Sequence, residues 1–218
     1  TGPYAAVAPA LETAQRGFWL WANSTGGIGD YSVAIVEGAD TSFNPQKHLE
    51  QYNAQRDKVA ALAMSLGTNQ TLFILDEMDK DNMIAAPMSW YSGWSYKSLD
   101  KGLVVEFGAA YCADGMNALD WAIASLPVDI KTIGIMGFAG DYGGDWAQGI
   151  KYAAEQNGIT VAWEYLPPTL EFDVAQAVGL MVTQPVDAYF PAVGPGEMAQ
   201  IAGGAFQQGL TPIAMMAA

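Results

Sequence analysis

The sequence predicts an α/β protein with parallel sheets, divided into two similar lobes, and three observations carry that prediction. Short apolar runs alternate with helix-periodic stretches along the chain, the pattern of strands that return through helices packed on a sheet. Residues 133–158, IGIMGFAGDYGGDWAQGIKYAAEQNG, show one such unit in full: an apolar run breaks into Gly, Asp and Tyr, then restarts with helical spacing. The alternation gives about eight strands, many for one sheet, and FGAAYCADG at 107–115 has the small residues of a crossover between lobes. The expected division is 1–112 and 113–218.

The elements follow in order. Residues 5–22 carry an apolar stripe through Leu11, Phe18 and Ala22 that suits a helix, with Pro9 placed in its first turns. NSTGGIGD at 23–30 is a loop, and the β-branched YSVAIV at 31–36 reads as a strand. Asn44-Pro45 opens a polar helix over 46–56. The run at 59–64 favours a buried strand, 70–82 a helix, 84–88 an extended segment, 89–97 (SWYSGWSYK) an aromatic loop and 103–107 a further strand. The second half reads as a helix from Asp114 to about Leu126, strand 131–138, helix 142–157, strand 159–165, helix 173–183, strand 186–190 and helix 196–208, with a last apolar run at 211–216.

Composition excludes several function classes. Half the 218 residues are apolar (51%) and 15% are charged, which suits a compact fold. Nine Lys+Arg against 23 Asp+Glu give a net charge of −14, a poor match to nucleic acid or an anionic membrane surface. No apolar run approaches the roughly 18 residues that span a bilayer. Cys112 is the only cysteine, which rules out an internal disulfide, and no zinc spacing is present. His48 is the only histidine, so every Ser-His or Cys-His mechanism would rest on one residue in a polar helix. Catalysis, metal and cofactor are therefore not expected. The chain begins at Thr1 without a basic or apolar leader, and an export signal is expected to have been removed.

Ligands of open α/β sheets bind at the carboxyl ends of strands, which directs attention to 137–144. Gly134, Gly137 and Gly140 are spaced GxxGxxG rather than GxGxxG, although Glu164 stands where a ribose-binding acid would be sought; a nicotinamide enzyme stays open on that basis. A phosphate-binding GxxxxGK[ST] is absent. Asp76, Glu77, Asp79 and Asp81 form an acidic run without the glycine and closing glutamate of a calcium loop, and read as a solvated helix face. Trp90, Tyr91, Trp94 and Tyr96 cluster in a loop, where rigid aromatic faces either wall a small-molecule pocket or pack on one another at the surface.

Taken in order, TGPYA at 1–5, WANSTGGIGDYSVAIV at 21–36, Asn44-Pro45, VAALAMSLGTNQT at 59–71, AAPMS at 85–89, GDYGGDWAQGIKYAAEQNGITV at 140–161, QPVDAYF at 184–190 and GPGEMAQIAGGAFQQGL at 194–210 resemble the type 1 periplasmic binding proteins. Within these the resemblance is to the branched-chain amino acid and amide receptors of ABC transporters. It implies two Rossmann-like lobes joined by a hinge and closing on a ligand, in a chain incomplete at both ends. The resemblance also implies a monomeric, periplasmic receptor without enzymatic activity that delivers a small-molecule ligand to an ABC transporter permease. A sensory domain using the same fold is the alternative.

Site residues carry over from the resemblance one at a time. Thr68 matches the hydroxyl residue that holds a ligand carboxylate, with Asn69 beside it at a helix start. Ser89, Trp90 and Tyr91 fall on the first-lobe loop that continues the clamp, Trp90 standing where Thr is common and shifting the expected ligand toward a flat or apolar one. Tyr142 matches the second-lobe tyrosine that closes over the ligand, Gly194 stands where a second aromatic is frequent, and Tyr4 lies in the amino-terminal loop at the cleft border.

Overall fold

The computed structural model describes residues 4–5, 7–168 and 171–210; the run at 211–216 lies outside them, as does most of TGPYA. Two compact units result. Unit 1 comprises residues 1–88 and 96–105, and unit 2 comprises 89–95 and 106–218. Where the sequence suggests one boundary after 112, the chain crosses three times, and the aromatic loop falls in unit 2. The physical reason is local: Asp145 Oδ2 accepts the Ser92 amide (2.9 Å) and hydroxyl (2.8 Å), and Trp90 O accepts the Tyr111 amide at 2.7 Å.

Unit 1 opens with α1 (Ala8–Ser24), which carries proline in its first turn as expected and buries no residue. Asn44 caps α2 (Pro45–Gln55) by accepting the Lys47 amide at 3.0 Å, satisfying a donor that the helix itself cannot. Strand β1 (Ala61–Leu66) leads into α3 (Thr68–Asp81), which ends on a left-handed Asn82. Strand β2 (Ile84–Met88) pairs in parallel with β1, Ala61 opposite Ile84 and Leu66 opposite Met88. A short helix α4 (Lys97–Asp100) follows. The core is small: Tyr52, Ile74, Leu75, Met78, Met83 and Ala85.

Two expected strands of unit 1 do not form ladders. Residues 31–36 make only the isolated Ile28–Tyr31 bridge. Their backbone is held by side chains of α1: Asn23 donates to Val33 O and accepts its N–H (both 2.8 Å), and Arg16 donates to Ile35 O. The 103–107 strand shrinks to one parallel bridge, Val104 with Ala85. Apolar, β-branched sequence supplies a strand's side chains; a strand also needs a neighbour's backbone.

Unit 2 has that neighbour on both sides. After α5 (Tyr111–Ser125) come β3 (Thr132–Gly137), α6 (Asp141–Gln156), β4 (Thr160–Tyr165), α7 (Val174–Thr183), β5 (Ala188–Ala192) and α8 (Pro195–Gln207). The three strands form a parallel sheet in the order β4-β3-β5. Side chains alternate across it as the two-residue period requires: Ile133, Ile135 and Phe190 pack with Leu119, Trp146 and Ile150 of α5 and α6, while Met136 and Tyr189 pack with Met181 and Ile201 of α7 and α8. Asp187 fixes the sheet's start, its Oδ2 accepting the Lys131 and Thr132 amides and the Thr132 hydroxyl at 2.8–2.9 Å. Those donors favour the charged carboxylate and hold its pKa below the ordinary range. Among the described residues no helix is long and apolar enough to cross a membrane.

Candidate functional site

In unit 1 the sequence-expected residues Thr68 and Asn69 open α3 directly after Gly67, whose φ of 101° is one that side chains avoid. Thr68 is buried and Asn69 exposed. A Cβ on Gly67 would stand 2.2 Å from Gln70 Oε1 and 2.6 Å from the Phe43 ring, so glycine lets this turn pack tightly. The side chain of Gln70 is buried, its Nε2 donating to Phe43 O at 2.7 Å while Oε1 has no partner among the described residues. Phe43 and Ser42 both take left-handed backbone conformations (φ 56° and 53°), a local strain of the kind found at ligand sites. Tyr4 lies against Phe43 with ring centroids 4.9 Å apart. Tyr4, Phe43 and the start of α3 thus form one rim, with amides of a helix N-terminus that suit an anion. Phe43 and Gln70 were not singled out in the sequence, where nothing marks a lone Phe in a polar loop.

Behind this rim, His48 Nε2 lies 2.9 Å from Ser65 Oγ, which lies 2.8 Å from Thr71 Oγ1, itself donating to Gly67 O at 2.9 Å. Burial lowers the His48 pKa, favouring the neutral ring. No carboxylate orients that ring in these bonds, and the chain of hydroxyls ends on a backbone carbonyl, so its evident work is to brace β1 and α3.

In unit 2 the residues expected at the site are joined by rings. Trp90 meets Phe107 and Tyr111 edge-on (centroids 5.2 and 6.1 Å), Tyr111 meets Tyr142 (5.1 Å), Tyr142 meets Phe138 (6.4 Å), and Phe138 meets Phe172 (6.0 Å). Ser89 is buried and accepts the Trp94 indole N–H at 3.0 Å, while Tyr91 packs edge-on against Trp94 at 5.8 Å. Of the two alternatives the sequence left open, the rings show packing on one another: Tyr91 packs on Trp94, and Trp90 joins a series of rings through Phe107 and Tyr111. Gly108 permits this, because a Cβ there would stand 2.3 Å from Trp90 Nε1. The Tyr142 hydroxyl donates to Val193 O at 3.4 Å, and Gly194, the N-cap of α8, lies beside Phe138 and Glu197. Phe107, Tyr111, Phe138 and Phe172 escaped the sequence reading; the first two flank the small residues of the crossover, which was the available signal.

The other sequence features resolve into packing and solvation. A Cβ on Gly134 would strike the Trp163 ring at 2.3 Å and one on Gly137 would meet Ala192 O at 2.8 Å, so both glycines serve sheet packing. Glu164 pairs with Lys151 at 2.9 Å. The acidic run of α3 is spent on ion pairs: Asp76 and Asp79 with Lys101, Glu77 with Lys80 and Arg56, Asp81 with Arg56. Among the described residues no group of His, Cys, Asp or Glu could hold a metal ion.

Comparison with known proteins agrees with this architecture. A family model described as "Periplasmic binding protein" matches residues 1–218. Among solved structures, a fatty acid ABC transporter substrate-binding protein from Thermomonospora curvata is 28% identical with a TM-score of 0.83, covering 100% of this chain and 54% of its own. A branched chain amino acid ABC transporter protein from Thermus thermophilus with bound valine is 14% identical (TM-score 0.83, 100% and 56% covered). A solute binding protein of an ABC transporter from Rhodopseudomonas palustris in complex with 3,4-dihydroxybenzoic acid is 18% identical (TM-score 0.80, 100% and 58% covered). The last two likenesses show the fold alone. The chain spans little more than half the length of these structures. None of the curated proteins searched matches it.

Proposed function

Since the chain belongs to the periplasmic binding protein family, we propose that it is part of an extracytoplasmic solute receptor that captures an amphipathic carboxylate and delivers it to an ABC transporter permease. The observation that carries the ligand class is the ring series Phe107–Trp90–Tyr111–Tyr142–Phe138–Phe172 in unit 2. Such rigid faces suit the apolar body of a ligand. The start of α3 in unit 1, with Thr68 and Asn69, suits a carboxylate through its amides. The fatty acid, valine and 3,4-dihydroxybenzoic acid named for solved proteins of this fold have in common a carboxyl group on a hydrocarbon body. In unit 2, Ser89 and Tyr91 hold the loop that presents Trp90, and Tyr142 and Gly194 border the same wall; within unit 1, Tyr4 packs on Phe43.

The test is a thermal-shift and calorimetric panel on the full-length protein containing valine, isoleucine, 3,4-dihydroxybenzoate, a medium-chain fatty acid and short amides. A ligand at about 100 times its dissociation constant should add about 2.7 kcal/mol to stability. Shifts with carboxylates and none with the matching primary amides support the reading. Silence across the acids, or binding of a nicotinamide cofactor in their place, overturns it.

A further inference from the structure

The polar groups behind the start of α3 form a chain whose direction follows from counting protons. A hydroxyl carries one proton and donates once. Gly67 O is a carbonyl and only accepts, so the Thr71 hydroxyl bonded to it at 2.9 Å has used its proton there. The Ser65 hydroxyl, 2.8 Å from Thr71 Oγ1, is then the donor of that pair. With its own proton committed, Ser65 Oγ can only accept from His48 Nε2, 2.9 Å away. The ring nitrogen facing Ser65 is therefore protonated. Every bond runs one way, from His48 through Ser65 and Thr71 to Gly67.

The chain joins three elements: His48 belongs to α2, Ser65 to β1 and Thr71 to α3. Ser65 and Thr71 are 2% and 0% exposed, so water does not compete for their bonds. Among the described residues the ring makes no other hydrogen bond, and its tautomer is set from the Ser65 side alone. At the far end Gly67 O accepts the Thr71 amide at 3.1 Å as well as the hydroxyl, and the Gly67 amide donates to Met88 O at 3.3 Å. Both peptides flanking this glycine are thus held. Gly67 is the N-cap of α3, so the set of its carbonyl decides where the unpaired amides of the first helical turn point. The same turn carries a second mark of a ligand site. Gln70 is 2% exposed, and its Oε1, 2.2 Å from where a Gly67 Cβ would stand, has no partner among the described residues. Such a buried acceptor costs stability until a donor reaches it.

We propose that His48 is a positioning residue for the acid-binding end of unit 1: as the Nε2–H tautomer it drives a one-way chain through Ser65 and Thr71 that fixes the Gly67 turn, and with it the amides of Thr68 and Asn69. A neutral ring with its proton on Nδ1 would instead turn a lone pair toward Ser65. Ser65 would then donate to the ring, Thr71 to Ser65, and Gly67 O would lose the hydroxyl. The consequence for binding rests on the solute-receptor reading, whereas the tautomer follows from proton counting alone.

The experiment reads the ring of His48 by long-range proton–nitrogen spectra of the full-length protein under mildly alkaline conditions, its signals identified as those that vanish in His48→Gln. The proton should sit on Nε2. Thr71→Val keeps the shape of the side chain but frees Ser65 to donate to the ring, so it should move the proton toward Nδ1, while Thr71→Ser keeps the hydroxyl and the wild-type spectrum. A brace without direction would leave the tautomer alone. A proton on Nδ1 in the wild type, or a tautomer that Thr71→Val does not change, overturns the proposal. Calorimetry with valine, 3,4-dihydroxybenzoate and a medium-chain fatty acid adds the functional arm: an acid that binds the wild type should bind Thr71→Val roughly fivefold more weakly, the worth of about one hydrogen bond, and Thr71→Ser equally well. Equal affinity in Thr71→Val overturns the positioning role. Should none of the three acids bind the wild type, the carboxylate reading fails, and the ring spectra still support or overturn the chain.

Discussion

The strands β1 (ALAMSL) and β3 (TIGIMG) are comparable apolar hexamers, yet β3 is buried from Ile133 to Gly137, whereas β1 buries only Ser65. The difference lies in what surrounds them. Strand β3 has a partner on each edge and a helix layer on each face, and β1 has one partner. Burial, and the stability it brings, is therefore a property of the sheet position and not of the hexamer. The first way to break this comparison is in the core. Phe190→Ala in β5, a fully buried ring, should cost about 3–5 kcal/mol in urea unfolding, whereas Leu62→Ala in β1, a half-buried side chain, should cost roughly 1 kcal/mol. Equal costs would mean that β1 is as well packed as β5 and would remove the contrast.

The second test asks which unit owns the aromatic loop. Asp145→Asn keeps the shape of the clasp but removes the charge that accepts both Ser92 donors, and hydrogen bonds to charged groups contribute about 1.5–3 kcal/mol. A loss of about 2 kcal/mol is expected, with the Ser92 and Trp94 amides exchanging faster and α3 amides unaffected. Faster exchange spreading into β1 and α3 would transfer the loop to unit 1.

Much of this was legible in the sequence. All the major helices and five strands appear where periodicity placed them, because side-chain pattern is a local property. The two failures, 31–36 and 103–107, are strands by composition whose pairing depends on residues far along the chain, which no window contains. At the candidate site, Trp90 is marked by its place in a loop after a strand, and Tyr142 by the family resemblance at the start of a helix. Phe43, Gln70 and Phe172 were not, since a contact between a loop and a distant helix start leaves no spacing to read. The expected single boundary after 112 missed the return at 89–95 for the same reason: the Ser92–Asp145 clasp joins residues 53 apart.

The third test compares the proposed ligand faces of the two units. Trp90→Ala removes the ring that meets both Phe107 and Tyr111 and should weaken binding of whichever acid the panel identifies by about 1–3 kcal/mol, the cost of losing a buried aromatic anchor. Asn69→Ala, on an exposed side chain beside backbone donors that remain, should cost under about 1 kcal/mol. Calorimetry on both variants sharpens the assignment if Trp90 dominates. If Asn69 dominates, the polar rim of unit 1 and not the wall of unit 2 carries the affinity.

The smallest effect distinguishes the units by sign. In unit 1, burial lowers the His48 pKa below its ordinary 6.5, so the unfolded chain takes up a proton first and stability falls as pH drops through about 6.5 toward the folded value. In unit 2, burial and then the charge of Asp145 raise the Glu106 pKa above its ordinary 4.5. The folded state is then the one that binds a proton first, so this contribution is fully present below 4.5 and is lost as pH rises through the folded pKa. Asp187, depressed by its amide donors, weakens unit 2 only when pH falls below the ordinary carboxylate range. As pH falls from 7 to 4.5 the two units should therefore move in opposite directions: amides of β1 and α3 lose protection while those of α5 and α6 gain it. His48→Gln should flatten the first trend and Glu106→Gln the second. A common trend in both units, unchanged by either substitution, would show that these two half-buried groups do not set the pH response.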